Sequence, residues 1–221
     1  TASGGVWTSC SPDFGAQGVV DRFGQVRPQL LIVADGYRYN GRRFALDAKV
    51  NAVLEQIPGL EHVIRIPFAD VPGELAHGSV IEYPDLLKND AAEPEFAQVD
   101  FDHPLYIMYS SGTTGPPKSI VHGTGGTLLQ HLKEHQLQCD LQPGHRLLWF
   151  TTCGWMMWNW LVSALASRAT IVLYDGSPGH PDLGALWRLA ERTGITHFGT
   201  SPKFLSACAG AGLVPREEAD L

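Results

Sequence analysis

The sequence predicts an α/β fold of mostly parallel sheets flanked by helices. Three observations carry the prediction. Short apolar runs of strand length recur at residues 30–34, 62–66, 105–109, 146–150, 170–174 and 195–198. Segments of helical character fall between them, at residues 16–26, 46–57, 127–137, 156–166, 183–191 and 202–208. The connections are short, and strand–helix–strand crossovers of this kind set strands parallel with helices on the sheet faces.

In chain order, residues 16–26 form the first expected helix. Leu30, Leu31, Ile32, Val33 and Ala34 make a continuous apolar run, a buried strand closed by Asp35 and Gly36. The aromatic and basic stretch from Tyr37 to Phe44 reads as a hairpin or surface loop. Leu46, Val50, Val53, Leu54 and Ile57 share one helix face, stopped by Pro58 and Gly59. Residues 62–66 then make a second strand. Prolines at 67, 72, 84, 94 and 104 interrupt the next stretch, where Asp85, Asp90, Glu93, Glu95, Asp100 and Asp102 also gather. This composition predicts a solvated connector with a short helix at most.

From residue 105 the alternation returns. The helix at 156–166 is apolar around its axis and so is expected to be buried, with Trp158 and Trp160 in the core. Leu183, Leu186, Trp187 and Ala190 form a core face on the next helix, which Gly194 caps. Pro202 suits the first turn of the last one. The expected organisation is a small α/β subdomain at 1–66, a proline-rich acidic connector at 67–104, and an α/β subdomain at 105–221.

Composition narrows the function classes. The chain has 221 residues, 44% hydrophobic and 18% charged, with net charge -7. That is a globular composition. The acidic balance and the lack of a long basic run argue against non-specific nucleic-acid binding. No apolar stretch is long enough for a membrane span. Cys10, Cys139, Cys153 and Cys208 are widely spaced with no CxxC pair, which predicts reduced thiols and a cytoplasmic location.

The chemistry concentrates at Ser110, Ser111, Gly112, Thr113, Thr114, Gly115, Pro116, Pro117 and Lys118. This run follows a strand and is read as leading towards a helix. Hydroxyls and backbone N–H groups can surround phosphate oxygens, glycines allow close backbone approach, and Lys118 can neutralise charge. A turn that binds nothing is the alternative. A Walker A loop needs a second glycine where this chain has Pro117, which also removes an N–H from any phosphate nest.

The run instead resembles the signature phosphate loop of the adenylate-forming acyl-CoA synthetases. Further stretches draw the resemblance towards the acetoacetate-activating members of that family. They include Ile120 to Gly123, the run from Trp149 to Asn159, Ile171 to Pro178, Thr196 to Ser201, and the N-terminal Trp7 to Gly15. The likeness covers nearly the whole chain, and it implies a partial large domain of the adenylate-forming enzyme fold. It implies ATP, Mg²⁺, CoA and acetoacetate as the ligands of a parent enzyme. Ser110, Ser111, Gly112, Thr113, Thr114, Gly115 and Lys118 would grip the ATP phosphates. Trp155, Met156 and Met157 would wall an acid pocket, with Gly199, Thr200 and Ser201 bordering substrate or CoA. The resemblance also implies that adenine-, ribose- and lysine-bearing motifs belong to a part of the family that these residues do not include. The chain is therefore expected to be an internal fragment with little or no ligase activity and truncated surfaces that could self-associate. Activation of another short-chain acid such as acetate, or a nucleotide-binding or structural domain without catalysis, are the competing readings.

The remaining candidates carry less. His131 and His135 lie four apart on one helix, but no third ligand is evident, so both are expected at the surface and no metal site is assigned. His122 follows the loop and could serve the site or make a structural hydrogen bond. Cys153 is expected to be a buried thiol, and His197 to pack beside the last strand. No residue is assigned as catalytic.

Overall fold

The computed structural model describes residues 1–88, 93–111 and 115–221. They form two compact units, Thr1–Arg38 with Arg42–Thr124 and Tyr39–Gly41 with Gly125–Leu221.

The first unit begins with β1 (Trp7–Thr8) and α1 (Ala16–Val26). β2 (Leu30–Ala34) follows, then a hairpin of β3 (Gly36–Tyr39) and β4 (Arg42–Ala45), and α2 (Asp47–Leu54). β5 (His62–Ile66), β6 (Val80–Glu82) and the short α3 (Tyr83–Leu86) come next. β7 (Pro104–Tyr109) and β8 (Ser119–Gly123) complete it. β2, β5 and β6 form a parallel sheet in that order, with Ile32 opposite Ile64 and Ile64 opposite Ile81. Leu46, Val50, Val63 and Leu75 make its core, and Phe23, Val53 and Ile57 join α1 to α2.

Asp35 closes the end of β2. Its buried carboxylate accepts from the backbone N–H groups of Phe68, Ala69 and Val71 at 2.8–3.1 Å. Three donors on one buried acceptor pin the chain as it leaves β5. Gly36 follows because a Cβ there would lie 2.5 Å from the carbonyl oxygen of Phe44.

The compact units divide the chain elsewhere than the expected connector at 67–104. Val80 and Ile81 form a strand against β5, too short for an alternation to be seen in sequence. β7 pairs parallel with β1 and antiparallel with β8, which holds residues 105–124 in the first unit.

In the second unit α4 (Thr124–Lys133) runs into a π-helical turn at Glu134–Gln138. β9 (Arg146–Trp149), α5 (Met156–Ser163), β10 (Thr170–Val172) and α6 (Ala185–Thr193) follow. β11 (His197–Gly199), α7 (Pro202–Gly210) and α8 (Pro215–Glu218) end the chain. The sheet order is β10–β9–β11, all parallel. Alternate strand residues serve two cores. Leu147 and Trp149 pack with Leu141, Trp160, Leu161 and Ala164. Phe198 packs with Leu186, Trp187, Phe204 and Cys208.

Three expectations are corrected here. β2 is not a buried strand: it lies at the sheet edge, Leu31 and Val33 pack on the core, and the alternate Leu30 and Ile32 are exposed. The α5 segment is half-buried, not wholly buried, because only one face meets the sheet. Trp160 and Leu161 pack inward, while Met156 and Val162 are exposed and Trp158 is intermediate. His131 and His135 are buried, not at the surface. His131 Nδ1 lies 2.8 Å from Ser163 Oγ, and His135 Nε2 bonds the carbonyl of Trp160 at 3.0 Å. They tie α4 and its π-turn to α5. Among the described residues no helix is long and apolar enough to cross a membrane.

Candidate functional site

The loop after Tyr109 is built by strand pairing. Its first residue and its last contact each other: Ser110 N–H donates to the Lys118 carbonyl at 3.0 Å. Lys118 N–H returns a bond to Ser110 Oγ at 2.9 Å. The loop therefore spans two adjacent antiparallel strands, with Tyr109 opposite Ser119. This corrects the expectation that a helix follows. β8 intervenes, so α4 cannot aim its N-terminal N–H groups directly from the loop's end. Ser111 and Lys118 are exposed, whereas Pro117 is buried and anchors the exit. Gly115 has φ +151°, which favours glycine. Gly112, Thr113 and Thr114 lie outside the described residues.

The ground beneath the loop includes residues that sequence reading did not single out. Thr8 Oγ1 lies 2.9 Å from the Tyr109 hydroxyl and donates to the Ile107 carbonyl at 3.0 Å. Burial pushes the Tyr109 hydroxyl up to about 12, so it stays protonated at neutral pH. The Arg22 guanidinium lies over the rings of Phe14 and Tyr109, at 4.8 and 5.9 Å from their centroids. Gln25, also on α1, reaches Pro117 and Ser119. Helical spacing could have placed Arg22 and Gln25 near one another, but only tertiary contact shows what they touch. His122 sits in β8 with its ring 5.0 Å from that of Tyr106, and burial lowers its pKa.

The other predicted residues occupy the carboxyl ends of β9 and β11. Phe150 N–H donates to the Gly199 carbonyl at 2.8 Å and joins those ends. Open parallel sheets bind ligands beyond this edge. Trp155 is the N-cap position of α5 and is 60% exposed. Met156 is exposed and Met157 packs against the Trp160–Leu161 core. Ser201 caps α7, its Oγ accepting from Phe204 N–H at 3.2 Å. Thr200 Oγ1, and Thr152 Oγ1 after β9, are buried hydroxyls with no hydrogen-bond partner among the described residues. Cys153 between these elements is intermediate in exposure, not buried as expected, and none of the four cysteines forms a disulfide. His197 lies within β11 itself, Nε2 bonding the Cys139 carbonyl at 2.8 Å.

Gly199 is held by packing. A Cβ there would lie 2.1 Å from the Trp149 ring. Gly199→Ala should therefore destabilise the protein by about 1–3 kcal/mol, read by urea unfolding. An unchanged midpoint would show that the Trp149 ring swings aside freely. A cavity of about 160 Å³ adjoins this glycine, lined also by His135, Cys139, Leu147 and Trp149.

The AMP-binding enzyme family matches residues 1–220. An acetoacetyl-coenzyme A synthetase of Rhizobium meliloti is 52% identical over 225 residues, covering 100% of this chain and 34% of that protein. A malonamoyl-CoA synthetase of Penicillium aethiopicum is 45% identical over 235 residues, covering 98% of this chain and 32% of that protein. The structure of an acetoacetyl-CoA synthetase from Streptomyces lividans superposes with a TM-score of 0.92 at 52% identity, covering 100% of this chain and 33% of that one. The chain thus spans about a third of the length of the curated relatives it matches.

Proposed function

The chain belongs to the AMP-binding enzyme family, and from that premise we propose that the protein it comes from ligates acetoacetate to CoA with ATP. The acetoacetate carboxylate attacks the α-phosphorus of ATP, and the bond to pyrophosphate breaks. The CoA sulfur then attacks the carbonyl carbon of the resulting adenylate. The bond to AMP breaks and the thiol proton passes to solvent.

One observation carries the reading: Lys118 is exposed at the end of a loop whose two ends are bonded to each other. An anion attacking an anion needs fixed positive charge and aimed donors. Lys118, with the hydroxyls of Ser110, Ser111, Thr113 and Thr114, would hold the β- and γ-phosphates. Gly112 and Gly115 would let the backbone approach them. Among the described residues no cluster of carboxylate, imidazole or thiol groups could hold a metal. Mg²⁺ would enter on the ATP phosphates. Trp155, Met156 and Met157 would wall the acid pocket, and Gly199, Thr200 and Ser201 would border it or the CoA path.

The relatives' names support a short acid with a carbonyl two carbons from its carboxylate, since acetoacetate and malonamate share that feature. Malonamate is the second reading. Thioester formation by the full-length protein with acetoacetate, malonamate and acetate decides between them. Acetoacetate should give the highest kcat/KM; a higher value for either competitor would overturn the assignment. Trp155→Ala should raise KM for the acid about tenfold while leaving KM for ATP unchanged. Equal changes in both would remove Trp155 from the acid pocket.

A further inference from the structure

We propose that Gln25 is a positioning residue for Lys118, fixing the loop exit from the outside. The inference rests on the reading of residues 110–118 as the phosphate loop. Gln25 lies on the last turn of α1, distant in sequence from the loop, yet its side-chain amide contacts both neighbours of Lys118. Its Nε2 donates to the Pro117 carbonyl at 2.7 Å. Its Oε1 accepts from Ser119 Oγ at 2.9 Å. The second Nε2 hydrogen goes to the Asp21 carbonyl one turn earlier, at 2.6 Å.

The orientation of this amide follows from its partners. Both groups facing Nε2 are backbone carbonyls, which only accept, and the group facing Oε1 is a hydroxyl able to donate. A flipped amide would set oxygen against two carbonyl oxygens. Both donors and the acceptor are thus used on a side chain that an exposed helix position would normally leave to water. The Asp21 bond fixes the amide on its own helix. The other two reach across to residues 117 and 119.

The loop's own closure leaves a task for this contact. Ser110 holds Lys118 through backbone N–H and C=O, which fixes the separation of the loop ends but not the tilt of the loop exit. Gln25 supplies off-axis restraints on either side of Lys118. With Pro117 already limited in φ, the backbone bearing the ammonium has little freedom left. A preset cation contributes more to a developing charge than one that must be ordered during reaction.

The test uses the full-length protein with five variants: Gln25→Ala, Gln25→Glu, Lys118→Ala, the Gln25→Ala/Lys118→Ala double variant and a Gln17→Ala control. Gln25→Ala is expected to raise KM for ATP or lower the adenylation rate, with about a tenfold loss in kcat/KM for ATP. KM for the acid and the thermal midpoint should stay near their starting values. Gln25→Glu should lose at least as much, because a carboxylate oxygen would face the Pro117 and Asp21 carbonyls. Gln17→Ala, on the same helix with its own bond to Asp21, is the control and should leave ATP kinetics unchanged. In the Lys118→Ala background, removing Gln25 should cost little more. Full additivity, or a Gln25→Ala enzyme with unaltered ATP kinetics, would overturn the inference while leaving the loop's role standing. If Lys118→Ala itself changes nothing, the reading of the loop falls and the inference falls with it.

Discussion

Lys118→Ala in the full-length protein is expected to lower acyl-adenylate formation about a hundredfold, the scale for losing one preorganised charge-stabilising donor. The expectation follows from the placement of the residue. Lys118 is exposed, so its ammonium is available to a ligand, while its backbone N–H and carbonyl are both bonded to Ser110. Truncation therefore removes the charge without opening the loop. KM for ATP should rise, and KM for the acid should stay unchanged. Lys118→Arg should recover only part of the loss, because the planar guanidinium carries its charge on a different geometry. Single-turnover adenylate formation separates this effect from product release. A variant whose adenylation rate is intact would remove Lys118 from the phosphate grip.

Asp35→Ala is expected to have the largest effect on stability, about 3–5 kcal/mol by urea unfolding. The carboxylate is 2% exposed and serves three backbone donors, from Phe68, Ala69 and Val71. Alanine would leave those N–H groups without their acceptor. The pH dependence has a definite sign. Burial pushes the Asp35 carboxyl up, but the bonds from Ala69, Phe68 and Val71 and the Arg65 charge outweigh it and hold it below the ordinary carboxylate range. A depressed folded pKa gives stability that is fully present above the unfolded value of about 4 and is lost as pH falls through the folded value. The gap between the wild-type protein and Asp35→Ala should accordingly narrow below about pH 4. A constant gap would show that the deficit comes from packing alone. Asp35→Asn, which keeps an acceptor oxygen without the charge, should fall between them.

Much of the fold was legible because burial imposes periods on sequence. β2 and β5 match their apolar runs in full, and Gly194 and Pro202 mark the helix ends they were expected to mark. What escaped notice was short or depended on pairing. β1 has two residues and β6 three, too few to show alternation. β8 is defined by its register with β7, so the turn from 110 to 118 looked like a strand-to-helix loop until the partner strand was placed. His131 and His135 looked like surface residues because polar side chains usually are, and their burial is made possible by Ser163 and the Trp160 carbonyl on another helix. The residue types of the loop are visible in the sequence, but the mutual bonding of Ser110 and Lys118 at its ends is not. Nor are the contacts of Gln25, because nothing local to α1 indicates Pro117 or Ser119.

The most direct test of the central claim is acetoacetate-dependent exchange of pyrophosphate into ATP by the full-length protein. Reversal of the first half-reaction reports adenylate formation without any need for CoA. The account predicts exchange that requires acetoacetate and falls about a hundredfold in Lys118→Ala. Exchange that proceeds equally well without acetoacetate, or that is the same in Lys118→Ala, would contradict it.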